Sequence, residues 1–333
     1  MNIPQLLTFI DQSLQFRLPL LDADHTSALR IFNGFYEGWP ELSIDLFGRT
    51  LILYNYADQP AVLTPLIQTV KEFYITALPW LNTVLLKTRH ATEPSARRGS
   101  LLFGAALEDR ICEGGVWYAL DLQMNQDASF YLDTRNLRQW LKENTAGQSV
   151  LNTFAYTGSL GIAALAGGAA FVLQTDLNPR FLDLAKRSAA LNSSLTGQHT
   201  LRTGDFFRIA GGLRQQNARF DTVILDAPFF SQTSAGQVDL IHQGARLINK
   251  IRPLVTQNGR LIAINNALFL SGADYLASLR DLCTDGYTEI ERFIPVPQDF
   301  IGYAQGFSPH LPANPAPFNH STKIAILRLT RKL

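Results

Sequence analysis

The apolar positions of this chain recur in two rhythms, and the change from one to the other divides it. From Leu6 to about Phe16 they fall at helical spacing, which predicts a short amphipathic helix. Brief runs follow at Ala28–Phe32, Leu42–Asp45 and Leu51–Tyr54. They are broken by Asn33-Gly34, Gly38-Trp39-Pro40 and Phe47-Gly48, the punctuation of a strand-rich meander. A helical stretch over Val62–Ala77 and a strand over Thr83–Lys87 complete a small α+β domain. The polar segment Thr88–Gly99, which contains Pro94, reads as an exposed loop. Val116–Leu120 and Ser129–Leu132 read as a strand pair leading into a helix over Thr134–Lys142.

Beyond that helix, strand-like and helix-like stretches alternate with short connections. Strands are predicted at Ser149–Phe154, Ala170–Thr175, Thr200–Thr203, Thr222–Asp226 and Arg260–Asn265. Helices are predicted at Ser159–Ala166, Arg180–Leu191, Phe206–Gln215, Val238–Val255 and Ala273–Cys283. This alternation is the pattern of a parallel sheet wound by right-handed crossovers. Two further β-like runs, Thr288–Val296 and Lys323–Leu329, flank a loop with Pro309, Pro312, Pro315 and Pro317. No crossover helix separates them, so they are expected to pair antiparallel. The expected division is a helical segment over 1–25, an α+β domain over 26–115 and a larger α/β domain over 116–333.

Composition narrows the class. A chain of 333 residues suggests two domains, and 46% hydrophobic residues supply ample core. The charged fraction of 17% is below the roughly 25% of typical soluble proteins. A net charge of +1 gives no global pull toward nucleic acid, though average charge says nothing of a local patch. Cys112 and Cys283 lie far apart and outside any metal-ligand spacing, which argues against structural zinc and fits a reducing compartment. The start Met1-Asn2-Ile3-Pro4 lacks signal-peptide character, and no apolar stretch is long enough to span a membrane. A cytoplasmic protein is expected.

The candidate chemistry clusters at the ends of predicted strands. After the first, Asn152-Thr153-Phe154-Ala155-Tyr156-Thr157-Gly158 forms a turn over a helix start, where backbone N–H groups can meet a carboxylate or phosphate. The spacing is not G-x-G-x-x-G, so a dinucleotide pyrophosphate fits poorly; a plain strand-to-helix turn is the alternative. Asp176-Leu177-Asn178-Pro179 ends the second strand about 20 residues on, where an acid can accept from ribose hydroxyls. The ordinary alternative is a helix cap by Asn178. Asp205 can accept from an adenine amino group with Phe206 against the ring, or cap the following helix, or both. Asp226-Ala227-Pro228-Phe229-Phe230 ends the fourth strand with an acid, a stiff backbone and an aromatic that can stack on a flipped base; a turn followed by a core aromatic pair is the alternative. Asn265-Asn266 ends the fifth.

Together these segments resemble a known family. The plan of five parallel strands plus a terminal antiparallel hairpin is similar to the Rossmann-like sheet of class I methyltransferases. Phe130-Tyr131-Leu132-Asp133-Thr134-Arg135, then Val150 to Gly158, then Asp226-Ala227-Pro228-Phe229 resemble bacterial large-subunit ribosomal RNA methyltransferases that use S-adenosylmethionine. Upstream, Ile31 to Gly48, with Asn33-Gly34, Trp39-Pro40-Glu41-Leu42, Asp45 and Gly48, is similar to the entry of that family's central domain. The resemblance runs from about Ala28 to the C-terminus.

It implies an S-adenosylmethionine site built from Tyr131, Asp133, Arg135, Asn152 to Gly158, Asp176, Leu177, Asn178, Asp205, Phe206 and Asp226. Asp226, Pro228 and Asn265 would line the transfer site. The family's 5-methylcytosine branch places a catalytic cysteine after the fifth strand, because C5 needs a covalent nucleophile. Asn265-Asn266 stand there instead, resembling the serine-asparagine-asparagine of the 7-methylguanine branch. Direct transfer to a base nitrogen of ribosomal RNA is therefore expected.

Two departures stand out: the family often carries an N-terminal PUA domain, whereas only a short helical segment is expected here ahead of the central domain, and the aspartate-proline-proline motif reads Asp226-Ala227-Pro228. Arg89, Arg97, Arg98, Arg135 and Arg138 are candidates for a phosphate track. A small-molecule or protein substrate, and a non-catalytic RNA-binding factor with this fold, remain as alternatives. The oligomeric state, a homodimer included, is open.

Overall fold

The fold was obtained as a computed structural model, which describes residues 3–303 and 311–330. Pro309 lies outside the described residues. Contacts divide the chain into two units, Met1–Leu132 with Pro297–Leu311, and Asp133–Val296 with Pro312–Leu333.

The first unit is built on a five-stranded sheet in sequential order: β1 (Ala28–Asn33), β2 (Leu42–Phe47), β3 (Thr50–Asn55), β4 (Thr83–Thr88) and β5 (Ser100–Phe103). Only β3 and β4 run parallel, because helix Thr64–Ala77 carries the chain across between them. That helix and helix Ile3–Arg17 bury Leu6, Ile10, Leu14 and Val70 against Ile31, Ile44 and Leu53. Within the expected loop Thr88–Gly99 lies a short helix, Pro94–Arg98.

The expected strand pair before the larger unit is not formed. β7 (Val116–Ala119) pairs instead with β6 (Arg110–Glu113). Gly114 and Gly115, at φ +58° and +78°, make the two-residue turn that joins them, and only glycine adopts that geometry at little cost. Ser129–Leu132 form no strand. Arg17, which is fully buried, pairs with Glu37 at 2.8 Å and donates to the Asp299 carbonyl within the first unit.

The second unit is a seven-stranded sheet. Its strands are β8 (Ser149–Thr153), β9 (Phe171–Asp176), β10 (Gln198–Thr203), β11 (Phe220–Leu225), β14 (Val255–Asn265), β15 (Thr288–Ile294) and β16 (Lys323–Leu329). They lie in the order β10-β9-β8-β11-β14-β16-β15. The first five are parallel, as the alternation predicts, and β16 is antiparallel to both its neighbours. Helices Ser159–Ala166, Pro179–Ala190, Phe206–Gln215 and Gly272–Cys283 match expectation to within a residue.

One expected helix is shorter than its pattern. Over Val238–Val255 only Gly244–Ile251 is α-helical, followed by a 3-10 turn at Arg252–Leu254. Upstream, β12 (Phe230–Thr233) and β13 (Gly236–Asp239) form a hairpin, in which Val238 is a buried strand residue.

Candidate functional site

Strand register brings the singled-out residues to one edge. Arg202, Thr175, Thr153, Leu225 and Ala263 form a continuous row across β10, β9, β8, β11 and β14. At about 4.8 Å per strand this row spans roughly 19 Å. The residues that follow each strand therefore line the carboxyl edge of the sheet, at the point where strand order reverses between β8 and β11.

The turn after β8 is strained. Phe154 and Tyr156 have φ of +52° and +50°, and Gly158 has +80°. Non-glycine residues in this region cost on the order of 1–3 kcal/mol each and need surrounding structure to hold them. Here the holding is visible. The Tyr156 amide donates to Asp176 Oδ2 at 2.9 Å, and the Ala155 amide to the Thr175 carbonyl at 2.9 Å. The Tyr156 ring meets Phe181 edge-on at 4.6 Å.

Beneath the turn, Asn152 Nδ2 donates to Gln174 Oε1, and Gln174 Nε2 lies 3.0 Å from His199 Nε2. A Cβ at Gly158 would overlap Ala185 and Gln174, and one at Gly161 would overlap Gln174. The side chains of Asn152 and Thr153 are buried and engaged inside the sheet, the Thr153 hydroxyl donating to the Ile224 carbonyl.

Asp176 closes β9. Its Oδ1 accepts from the Asn178 amide at 2.9 Å while Oδ2 holds Tyr156. Burial pushes its pKa up, opposed by these amides. Asn178 also caps helix Pro179–Ala190 through the Arg180 amide, so the capping alternative is realised beside the ligand geometry. Leu177 projects between them at 60% exposure, an apolar side chain left in solvent at the edge of the site.

Asp205 is similarly double. Its Oδ1 caps helix Phe206–Gln215 through the Arg208 amide, and its Oδ2 accepts from the Thr233 hydroxyl at 2.6 Å. That contact latches the β12–β13 hairpin to the site. Phe206, expected to offer an open face, is buried, with Phe154 stacked on it at 4.6 Å and Phe207 edge-on at 5.2 Å.

Asp226 follows β11. It is half-buried at the end of the strand. Burial and the nearby charge of Asp133 push its pKa up to about 7. Asp133 is fixed by the Thr322 hydroxyl, which donates to Oδ2 at 2.7 Å. Pro228, Phe229 and Phe230 are exposed beside it, as are Leu268 and Phe269 after β14.

The structure separates the two asparagines that end β14. Asn265 is buried and its carboxamide is engaged inward: Nδ2 donates to the Leu240 carbonyl, and Oδ1 accepts from the Ala267 amide. Asn266 is half-buried, with Nδ2 3.5 Å from the Ala227 carbonyl and Oδ1 without a hydrogen-bond partner among the described residues. Asn266, not Asn265, is therefore the amide that meets the Asp226 segment.

Of the other expected residues, Arg135 opens helix Arg135–Asn144. Tyr131 lies in the first unit, where its hydroxyl donates to Asp127. The proposed arginine track is not uniform. Arg138 is buried and donates to Thr134, and Arg89 pairs with Asp127 at 2.9 Å, whereas Arg97 and Arg98 are exposed.

A profile of the S-adenosylmethionine-dependent methyltransferases matches residues 29–298, which takes in β8 to β14 and every carboxylate just described. The chain belongs to that family. Its cofactor is S-adenosylmethionine. The residues present fit such a group: a carboxylate held at the tip of β9 by amides of the neighbouring turn, glycines packed where no Cβ fits, and an exposed apolar side chain beside them.

Among relatives of this methyltransferase, a Bacillus subtilis (strain 168) chain named as a candidate ribosomal RNA large subunit methyltransferase, YwbD, is 27% identical over 312 residues, covering 88% of this chain and 75% of its own. A ribosomal RNA large subunit methyltransferase of Deinococcus radiodurans is 26% identical, covering 77% and 64%. The ribosomal RNA large subunit methyltransferase I of Aeromonas salmonicida (strain A449) is 37% identical over 222 residues, covering 66% and 56%. The chain thus spans between about half and three quarters of these relatives' lengths. The crystal structure of SMU.776, a candidate methyltransferase complexed with SAH, superposes with a TM-score of 0.85 at 21% identity, covering 99% of this chain and 82% of that one; it shares the fold. No helix among the described residues is long and apolar enough to cross a membrane.

Proposed function

We propose that this methyltransferase acts on a base nitrogen of large-subunit ribosomal RNA, by direct transfer and without a cysteine nucleophile. The observation that carries the reading is the composition of the carboxyl edge. Asp226 and the exposed Phe229 and Phe230 face the end of β14, where asparagines stand in place of a thiol. Cys283 ends the helix that feeds β15 at the opposite, amino edge of the sheet, and burial with the charge of Asp285 pushes its thiol pKa up. Cys112 lies on β6 in the first unit. Relatives named for methylating large-subunit ribosomal RNA support the choice of substrate.

The geometry supports the following roles. Asp176 accepts from the ribose hydroxyls with lone pairs left beside the Tyr156 and Asn178 amides, and Leu177 covers one face of the adenine. The strained turn Phe154 to Gly158 presents its backbone to the methionine carboxylate. Asp205 holds the adenine edge while capping its helix, and Asp133 and Arg135 shape the lip of the pocket. When bound, S-adenosylmethionine supplies an electrophilic methyl group. Asp226, as a carboxylate, accepts from an N–H of the target base and offsets the positive charge that grows on the attacking nitrogen. Pro228 stiffens the backbone there, and Phe229 stacks on the base. Asn152, Thr153 and Asn265 act as supports.

The test is transfer of labelled methyl from S-adenosylmethionine to deproteinised ribosomal RNA from a strain lacking this protein. Label should appear in a base-methylated nucleoside, and the Cys112→Ser/Cys283→Ser double variant should retain it. Label absent from RNA sinks the substrate assignment, and label lost with Cys283 sinks direct transfer.

A further inference from the structure

The strand β16 reads Lys323-Ile324-Ala325-Ile326-Leu327-Arg328-Leu329; of its two cations Arg328 is half-buried and pairs with Glu291, whereas Lys323 opens the strand in the interior. Lys323 is 1% exposed, and no carboxylate pairs with it among the described residues. Burying an ammonium group without a counter-ion is costly, and a methionine would pack against the same apolar neighbours without that cost. Burial holds its pKa down to about 8. The cation is retained at a place where packing alone does not call for it.

Its hydrogen bonds show what it does. Lys323 lies opposite Asn265 in the β14–β16 register, at the carboxyl edge of the sheet. Its Nζ donates to the Ala267 carbonyl at 3.0 Å and to the Ser321 carbonyl at 2.5 Å. Ala267 is held from the other side as well, because its amide donates to Asn265 Oδ1 at 3.0 Å. The residue after Asn266 is therefore fixed at both its N–H and its C=O. Asn266 itself has only a long side-chain contact, 3.5 Å to the Ala227 carbonyl, so its own carboxamide does little to place it. Its position is set by the backbone around it. The residue before Lys323 makes the matching contact, since the Thr322 hydroxyl donates to Asp133, the acid that adds to burial in raising the pKa of Asp226.

We infer that Lys323 is a positioning residue for methyl transfer: it pins the Ala267 carbonyl and so sets where the backbone places Asn266 beside the Asp226-Ala227-Pro228 segment and the target base. The inference rests on the base-methylating reading above and names how that site is kept in place. Lys323 touches neither substrate nor cofactor. Its effect is transmitted through Ala267 and Asn266, so it should appear in the rate of transfer and not in cofactor affinity.

A double-mutant cycle tests this, with kcat measured for labelled methyl transfer to ribosomal RNA from a strain lacking the protein, and Kd for S-adenosylmethionine measured by calorimetry. Lys323→Met and Asn266→Ala should each lower kcat on the order of 10- to 100-fold, as small misplacements of reacting groups do, with Kd changed by no more than about twofold. The double variant should lose no more than the worse single variant, because both interrupt one chain of contacts. Lys323→Gln, which keeps one N–H for the Ala267 carbonyl, should recover part of the lost rate. If Lys323→Met fails to bind S-adenosylmethionine because it does not fold, Lys323→Gln takes its place in the cycle, with the same non-additivity expected. Fold-losses that multiply in the double variant overturn the inference, as does a wild-type kcat in Lys323→Met or an effect confined to cofactor affinity. A wild-type protein that transfers nothing to the RNA removes the base-methylating reading and this one with it. Multiplying losses in an active protein remove this one alone.

Discussion

Asp176 and Asp226 occupy equivalent places, each the residue at or just after the end of a parallel strand, yet their surroundings give them different work. Asp176 has both oxygens bound by backbone amides, which fixes its orientation for the hydroxyl partner proposed for it. Replacing it with alanine should weaken S-adenosylmethionine binding by roughly tenfold or more, the range for hydrogen bonds to a charged group. Calorimetry reads this directly, and an unchanged Kd would remove Asp176 from the cofactor site. Asp226 has burial and a second carboxylate against it, and a pKa of about 7 against a usual 3.8. Its folded-state pKa is raised, so its contribution to stability is present below about pH 4 and lost as pH rises toward 7. On the proposed role activity runs the other way, since the ionised form is the one that would accept from the base. The rate of methyl transfer should climb through neutrality and level off above it. Asp133→Asn should shift that rise to lower pH, and a profile left in place would show that Asp133 does not act on Asp226. Acids at strand ends were legible in the sequence because a carboxylate closing an apolar run is conspicuous. Which of Asn265 and Asn266 meets the Asp226 segment was not, because successive residues at a strand end point to opposite sides.

Among the elements, the β8 turn concentrates backbone strain and tight packing in five residues. Gly158 sits at φ +80° with Gln174 and Ala185 occupying the space a Cβ would need. Gly158→Ala should therefore cost on the order of 1–3 kcal/mol of stability and weaken cofactor binding together. A thermal unfolding midpoint equal to that of the parent would show that the turn can relax without loss. The parallel strands and their crossover helices could be read from periodicity because each is long enough to complete its period. Short elements misled. The apolar spacing of Val238, Leu240, Leu247, Ile248 and Ile251 mimics one helix, but the first of these belongs to a four-residue strand of the β12–β13 hairpin. Four residues hold too few repeats to tell the rhythms apart. The β6–β7 hairpin carried a stronger mark, the adjacent glycines Gly114-Gly115 between two alternating runs. Lys323 could have been noticed as a cation opening an apolar strand, but its partners are carbonyls, which no side-chain pattern announces.

At the level of the whole molecule, a sheet of this order gathers five loops from 113 residues of sequence, Phe154 to Asn266, at one edge, so a handful of residue types specifies a cofactor site. The family follows from that arrangement together with the match over residues 29–298. The substrate is written less plainly, because a net charge of +1 leaves any RNA-binding surface to local clusters such as the exposed Arg97 and Arg98. The most direct measurement is nucleoside mass spectrometry of large-subunit ribosomal RNA from a strain lacking this protein, and from the same strain complemented with the parent or the Asp176→Ala variant. The account predicts one base-methylated nucleoside missing from the deletion strain, restored by the parent and restored poorly by Asp176→Ala. Identical nucleoside profiles with and without the protein would contradict it.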